Sequence, residues 1–256
     1  MDLCFDPSKA AGYKSGSQIA RVLTESWART NLYCVSCRAD RLVPARENTR
    51  VVDFVCDRCK EQYQLKSQSR PLGSKVADAA YAPMAEAIAH DRSPNFLFMH
   101  YSRDAKCVEN LLLVPRHFVT LSCIEMRNPL SPKARRAGWQ GCNILLGALP
   151  GDARIPLIHG GHAMSPRDVR KDYARFRFLS EQKANERGWL ADVLKCVRDL
   201  GKEDFTLREV YEYEASLKRL HPANKNVRPK IRQQLQVLRD RGMLTFLSPG
   251  HYRLRV

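Results

Sequence analysis

The chain has 256 residues, of which 43 are lysine or arginine and 27 are aspartate or glutamate, so its formal net charge is +16. No apolar run approaches the ~20 residues that a transmembrane helix needs, and we expect no signal peptide, which argues against an integral membrane protein. The positive surplus predicts a polyanionic partner, and nucleic acid is favoured over a membrane surface because no lipidation signal accompanies the charge. We expect a cytoplasmic protein whose nine cysteines do not form a disulfide framework.

Two CxxC pairs follow an amphipathic helix predicted over residues 15–31. The pairs are Cys34 with Cys37 and Cys56 with Cys59, and the eighteen residues between them fit a zinc ribbon with four thiolates around one ion. A redox CxxC would explain one pair but not two. The remaining cysteines have no ligand spacing and are expected to be small buried hydrophobes. They are Cys4, Cys107, Cys123, Cys142 and Cys196.

The stretch over residues 51–66 alternates with period two and predicts a β-hairpin, with strands over 50–55 and 62–67 and the second CxxC pair at the turn. Asp53 lies on the first strand. Gln64 and Lys66 share one face of the second strand, because strand side chains alternate. Such a group can hold a divalent metal against a phosphodiester and place a water beside it. We interpret the hairpin as an active site held by a structural zinc ion.

Further elements follow in chain order. A helix is predicted over 78–90, and short apolar runs predict buried strands over 95–101 and 110–115. Residues 154–158 are predicted to be the last strand of the first domain. The charged stretch 167–187 then forms a helical or extended connector.

A basic loop over residues 129–143 has little periodicity and contains side chains that can contact nucleic acid. Arg135 and Arg136 precede Trp139, which is flanked by glycines. This suits an aromatic ring offered to a base or a methyl group while the arginines hold the DNA backbone. The alternative, a tryptophan that anchors the loop to the core, is equally compatible with the spacing.

The C-terminal seventy residues predict three helices followed by a β-hairpin, the order of a winged helix. Thr206 with Glu209 forms a capping box at the start of the second helix. The third helix turns Arg228, Arg232 and Gln233 outward, where such side chains can contact guanine and adenine edges. Winged helices also bind proteins, but these outward side chains favour DNA.

Several strings make the chain similar to the DpnI family of methyl-directed restriction endonucleases. They are VDF around Asp53, QLKS ending at Ser67, ARRAGWQGCN around Trp139, RGW at 187–189 and IRQQLQVLRD at 231–240, together with the four CxxC cysteines. The resemblance implies that residues 1–183 form a mixed α/β (α+β) nuclease domain with a PD-(D/E)xK core. This domain would contain a zinc-bound CxxC/CxxC insertion. The resemblance also implies a winged-helix domain over 184–256, and magnesium-dependent cleavage of both DNA strands at GATC sites containing N6-methyladenine.

The resemblance also implies residue roles. Asp53 would bind the metal, and Lys66 would orient or help to deprotonate the attacking water. Gln64 stands where the family pattern normally has an acid, so its oxygen can ligate a metal but brings no negative charge. The backbone carbonyl of Leu65 is expected to be a further magnesium ligand. The side chains expected to contact DNA are Arg135, Arg136, Trp139, Arg228, Arg232 and Gln233.

Two other functions remain open from the sequence. One is a zinc-ribbon and winged-helix DNA-binding regulator without nuclease activity, its site inactivated by Gln64. The other is a repair nuclease that recognises damaged or mismatched bases. For the methyl-directed nuclease we expect a monomer whose partner is methylated double-stranded DNA and which binds no membrane.

Overall fold

Seven α-helices and three β-sheets occur within residues 1–46, 49 and 51–255, which are the residues that the computed structural model describes. The helices are α1 (Gly16–Asn31), α2 (Tyr81–Ala89), α3 (Pro166–Arg175), α4 (Ala184–Asp199), α5 (Leu207–Tyr211), α6 (Glu214–Leu220) and α7 (Val227–Asp240). The strands are β1 (Val43–Pro44), β2 (Phe54–Val55), β3 (Gln62–Gln68), β4 (Val76–Ala80), β5 (Asn95–Ser102), β6 (Cys107–Val114), β7 (Ile124–Met126), β8 (Gly141–Ile144), β9 (Ile155–His159), β10 (His162–Ala163), β11 (Asp204–Thr206), β12 (Leu244–Ser248) and β13 (His251–Leu254). Among these residues, no helix is both long and apolar enough to cross a bilayer.

The largest sheet separates two hydrophobic cores. Its strand order is β1-β2-β3-β5-β6-β9-β10, and β3 pairs with β5 in parallel whereas β2 and β6 pair antiparallel with their neighbours. The predicted strands over 95–101, 110–115 and 154–158 are confirmed as β5, β6 and β9. On β5, Phe96 and Phe98 enter one core while Leu97 and Met99 enter the other, because strand side chains alternate.

The first core lies between this sheet and helices α1 and α3. The predicted helix over 15–31 is confirmed as α1, which buries Leu23, Trp27 and Ala28. The indole N–H of Trp27 donates to the carbonyl of Asp2 at 2.8 Å, so the buried ring keeps a hydrogen bond. Within the predicted connector, α3 is a helix that buries Val169 and Tyr173 against the same core.

The second core contains α2, a small sheet of order β4-β8-β7 and the C-terminal helices. Here the predicted helix over 78–90 is wrong at its start, because Val76–Ala80 is a strand and the helix begins at Tyr81. The stretch is rich in alanine and has good helix propensity, but pairing of β4 with the distant β8 prevails over that local preference. Asp78 is therefore a strand residue, opposite Cys142.

The C-terminal elements follow the predicted order, with one break. Thr206 and Glu209 form the predicted capping box, with the Glu209 N–H donating to the Thr206 hydroxyl at 3.3 Å. The predicted second helix is divided into α5 and α6, and the Tyr213 N–H donates to the Val210 carbonyl at 3.2 Å in a tight turn between them. Strands β11, β13 and β12 form the third sheet, and β12 with β13 is the predicted hairpin.

One hydrophobic cluster runs from the small sheet into the C-terminal helices. It contains Ile144 of β8, Val193 of α4 and Leu235 of α7, all fully or almost fully buried. The ring of Trp189 in α4 also stacks on His221 at 4.0 Å between centroids. The third predicted helix, α7, is thereby held against the same core that supports the large sheet.

A disulfide joins Cys4 and Cys107, so the expectation that these two are small buried hydrophobes is wrong. The cause is backbone pairing between the N-terminal segment and the start of β6. Phe5 N–H donates to the Lys106 carbonyl at 2.7 Å, and Val108 N–H donates to the Leu3 carbonyl at 2.8 Å. This pairing places the two sulfur atoms side by side across a sequence separation of 103 residues.

Candidate active site and zinc centre

The four cysteines of the CxxC pairs come together. Their sulfur atoms all lie within 4.8 Å of one another. Cys34 Sγ lies 3.5 Å from Cys59 Sγ, and Cys37 Sγ lies 3.6 Å from Cys56 Sγ. Four thiolates at about 2.3 Å from a tetrahedral zinc ion have sulfur atoms roughly 3.8 Å apart. The geometry therefore fits the predicted zinc ligands and could bind one ion.

The second CxxC pair forms a closed turn between β2 and β3. Cys56 N–H donates to the Glu61 carbonyl at 2.8 Å, and Lys60 N–H donates back to the Cys56 carbonyl at 2.9 Å. Lys60 has a φ of 64°, the left-handed conformation that such a reversal requires. Cys59 N–H points at Cys56 Sγ at 3.5 Å. Such donors stabilise a thiolate, which is the form that binds metal.

The strand before this turn is shorter than predicted. Only Phe54 and Val55 pair with β3, opposite Tyr63 and Gln62, and the predicted start at Arg50 lies outside the described residues. Asp53 therefore precedes β2 rather than lying within a strand. Its N–H still donates to the Tyr63 carbonyl at 2.9 Å, so Asp53 stays beside β3.

The two faces of β3 have different neighbours, as the alternation predicts. Tyr63 faces the cysteines: its hydroxyl donates to Cys34 Sγ at 3.3 Å and accepts from Val35 N–H at 3.2 Å. Lys66 points the other way, where its ammonium contacts the side chain of Asp78. Gln64 lies on the same face as Lys66 and is 4% exposed.

Asp53 lies next to the backbone of Leu65. Its Oδ2 accepts a hydrogen bond from Leu65 N–H at 2.8 Å. The N–H and C=O of one strand residue point to the same side, and β2 begins at Phe54, opposite Tyr63, so it does not pair with Leu65. The Leu65 carbonyl therefore points to the same edge of the sheet as the Asp53 carboxylate, as its predicted role as a metal ligand requires.

The surroundings of Asp53 disfavour the negative charge on its carboxylate. Desolvation raises the pKa of the Asp53 carboxyl above its ordinary value. The Leu65 N–H and the Lys66 ammonium act in the opposite direction, while the carboxylates of Glu25 and Asp78 add to the rise. A bound cation would offset this accumulation of negative charge.

Asp78 is the residue near the site that the sequence analysis missed. Its side chain has no exposed surface, whereas that of Lys66 is 22% exposed. Lys66 makes an ion contact with Asp78 Oδ1, but among the described residues neither carboxylate oxygen has an aligned hydrogen-bond donor. The signal that could have found it is the alternation of Val76, Asp78 and Ala80, which the alanine-rich composition obscures.

We define the cation site as Asp53, Gln64, Leu65 and Lys66, the four residues that the sequence predicts for catalysis and magnesium. Its oxygen donors are a carboxylate, an amide and a backbone carbonyl, the kind of ligand that magnesium prefers. Gln64 Oε1 is buried and has no hydrogen-bond donor within the part of the chain that the structure describes. Because buried oxygen atoms normally have a partner, the residues present fit a divalent cation.

The predicted DNA-contacting loop lies between β7 and β8. Arg135 and Arg136 are exposed, and the Arg136 guanidinium lies 5.0 Å from the centre of the half-buried Trp139 ring. The ring packs on Gly141, where an added Cβ would lie 2.9 Å from Trp139 Cη2. The loop ends next to Asp78, because β8 pairs with β4. Trp139 is thus partly anchored, and its exposed part is available for contact.

The other predicted DNA contacts lie apart from the cation site, on the exposed face of α7. Arg228 donates to Glu214 at 2.7 Å, and Arg232 donates to the Tyr211 hydroxyl at 2.7 Å. Gln233 is exposed and accepts from Lys230 at 2.8 Å. These side chains are already held by neighbours, so they point outward in defined positions.

Family comparisons match both parts of the chain. A model described as "DpnI: Dam-replacing family" matches residues 1–182, which contain the cysteine cluster, the cation site and the basic loop. A model described as "DpnI_C: Dam-replacing HTH domain" matches residues 185–254, which contain α7 and the β12–β13 hairpin.

Proposed function

The chain belongs to the DpnI family, described as Dam-replacing, and on that premise we propose that it is a methylation-dependent restriction endonuclease. The proposed reaction is hydrolysis of both strands of double-stranded DNA at GATC sites whose adenine carries an N6-methyl group. The observation that supports the proposal most is that Asp53 lies beside Gln64, Leu65 and Lys66 in the middle of β3, in a chain of this family. The formal charge of +16 suits a DNA substrate.

The proposed core is of the PD-(D/E)xK type. In support of it, Asp53 enters from the segment before β2, while Gln64 and Lys66 are two residues apart on β3 in a mixed sheet. Asp53, Gln64 and Leu65 would hold magnesium, which when bound stabilises charge on the scissile phosphate and acidifies a bound water. Lys66 would align the attacking water. In-line attack would leave a 5′-phosphate and a 3′-hydroxyl.

Recognition of the methyl group is proposed to use two separate elements. The loop with Arg135, Arg136 and Trp139 would offer an apolar ring to the methyl group, and α7 would test the same sequence through Arg232 and Gln233. One methyl group in an apolar pocket is worth only about 1–3 kcal/mol. Two elements that each test the methylated site would multiply this discrimination, which is a physical reason for having both.

Plasmid cleavage tests the proposal. Plasmid from a host that methylates GATC and plasmid from a host that does not are incubated with the zinc-loaded protein, with magnesium or in magnesium-free buffer. We expect magnesium-dependent cleavage of the methylated plasmid only. Cleavage of a mismatched but unmethylated duplex would instead support a repair nuclease.

Gln64 favours one alternative, a DNA-binding regulator without nuclease activity, because the neutral amide lowers the charge available to a cation. This alternative predicts that the methylated plasmid stays intact while a gel shift still shows binding. The same two assays therefore separate the two functions.

A further inference from the structure

Asp78 is a buried carboxylate with incomplete bonding beside the cation site. Its side chain has no exposed surface, and Lys66 is the cation that contacts it. A buried carboxylate normally accepts several hydrogen bonds, because leaving its oxygen atoms unpaired costs free energy. Within the described residues, neither oxygen of Asp78 has an aligned donor.

The cation site also lacks a negative charge. Asp53 is its one carboxylate, and Gln64 contributes a neutral amide oxygen. Affinity for a hard divalent cation depends strongly on the number of charged ligands. The site therefore needs a second carboxylate from another element, and β4 places Asp78 against Lys66, on the face of β3 that also carries Gln64.

Glu25 of α1 is the other carboxylate whose charge acts on Asp53. It is already paired, because Arg21 Nε donates to Glu25 Oε1 at 2.8 Å. Its side chain is also 39% exposed, so solvent satisfies its remaining bonding capacity. Asp78 contacts Lys66, but its side chain has no exposed surface and, among the described residues, neither of its oxygen atoms has an aligned hydrogen-bond donor, so it is the better candidate.

We propose that Asp78 supplies the second carboxylate of the cation site, in place of the charge that Gln64 lacks, with Lys66 as its counter-ion when no divalent cation is bound. This inference rests on the proposed function for the identity of the site, but it makes a claim about cation binding that does not require cleavage. Asp78 then connects β4 to the cation site on β3. Because β4 pairs with β8, it also connects the basic loop before β8 to that site.

The test is manganese binding to the full-length, zinc-loaded protein without DNA, with free Mn²⁺ followed by electron paramagnetic resonance. Asp78→Asn keeps the shape of the side chain and removes its charge. We expect it to weaken Mn²⁺ binding about tenfold or more. The matched control, Glu25→Gln, removes one charge from the other neighbour of Asp53 and should change the affinity less than about threefold.

A second pair of variants guards against misfolding, because Asp78→Asn leaves Lys66 without its partner. Lys66→Met and the double variant Lys66→Met/Asp78→Asn both lack the ammonium, and the double variant buries no unpaired charge. If Asp78 faces the cation, the double variant binds Mn²⁺ about tenfold more weakly than Lys66→Met. If Asp78 only holds Lys66 in place, the two bind equally.

The proposal would be overturned if Asp78→Asn bound Mn²⁺ as tightly as Glu25→Gln, or if the double variant bound it as tightly as Lys66→Met. Absence of Mn²⁺ binding by the unaltered protein in the millimolar range would also overturn it. Failure of the proposed function looks different: methylated plasmid would stay intact while Mn²⁺ binding still depended on Asp78. Zinc content and circular dichroism of each variant report whether the fold is retained.

Discussion

The two faces of β3 differ in how completely their polar groups are bonded. On the cysteine side, Tyr63 donates to one sulfur atom and accepts from Val35 N–H, and the four sulfur atoms lie at distances that suit zinc. On the other side, oxygen atoms of Gln64 and Asp78 are buried without aligned donors among the described residues. The first face resembles a complete structural centre, whereas the second leaves buried oxygen atoms that a ligand could contact.

We call the side of β3 that carries Tyr63 the cysteine face and the side that carries Gln64 and Lys66 the cation face. The contrast between them gives a different expectation for substitutions on each face. Changes on the cysteine face should appear mainly in stability, because its groups are bonded within the protein. Changes on the cation face should appear mainly in cation binding and cleavage. The Asp53 N–H bond to the Tyr63 carbonyl connects the faces, so only a severe change on the cysteine face should reach the site.

The largest effect is expected from Cys56→Ser, which removes one of the four zinc ligands. A structural zinc ion contributes folding free energy outright, so the variant should lose zinc and unfold at a temperature lower by on the order of ten degrees or more. Zinc content and a circular dichroism melt measure this. Cys196→Ser, at a buried cysteine outside the cluster, should keep its zinc. A Cys56→Ser protein with an unchanged melt would show that the cluster is not structural.

Asp53→Ala should act on the other face. It removes the carboxylate of the cation site, and we expect the cleavage rate to fall roughly a thousandfold or more, which corresponds to about 4 kcal/mol. DNA binding and the melting temperature should change little, because Asp53 is an exposed residue even though its carboxylate is partly desolvated where it accepts from Leu65 N–H. Cleavage of methylated plasmid and a gel shift measure the two effects, and an active Asp53→Ala protein would mean that the site lies elsewhere.

Local pattern was enough to predict the cysteine face and part of the cation face. The CxxC spacing identified four cysteines that the fold brings together and that could bind zinc, and alternation placed Gln64 and Lys66 on one face of β3. Both signals lie within a short stretch of chain, so they do not depend on how distant elements pack.

Local pattern identified neither the site position of Asp78 nor the Cys4–Cys107 disulfide. Asp78 is placed by pairing of β4 with β8, and the disulfide by pairing of the N-terminal segment with β6. Nothing in the local sequence encodes either long-range pairing, and the alanines around Asp78 favour a helix.

Trp139→Ala tests whether the basic loop over residues 129–143 recognises the methyl group of the DNA that is cleaved at the cation face. Loss of an apolar contact with one methyl group should lower the preference for methylated over unmethylated sites by roughly tenfold, within the range of about 1–3 kcal/mol. Gly141→Ala is a matched variant that keeps the indole but displaces it, since the added Cβ would lie 2.9 Å from Trp139 Cη2. An unchanged cleavage ratio in both variants would leave Trp139 with a loop-anchoring role.

The smallest effect is expected from Tyr63→Phe, which removes the hydroxyl bonded to Cys34 Sγ and Val35 N–H. Loss of one buried hydrogen-bonding group costs about 1 kcal/mol, so the melting temperature should fall by about 2–4 °C. Tyr33→Phe is the control, because the buried Tyr33 hydroxyl has no partner among the described residues and its removal should cost nothing. Cleavage should be unchanged in both. A Tyr63→Phe protein with normal stability but slower cleavage would contradict the division of roles between the two faces of β3.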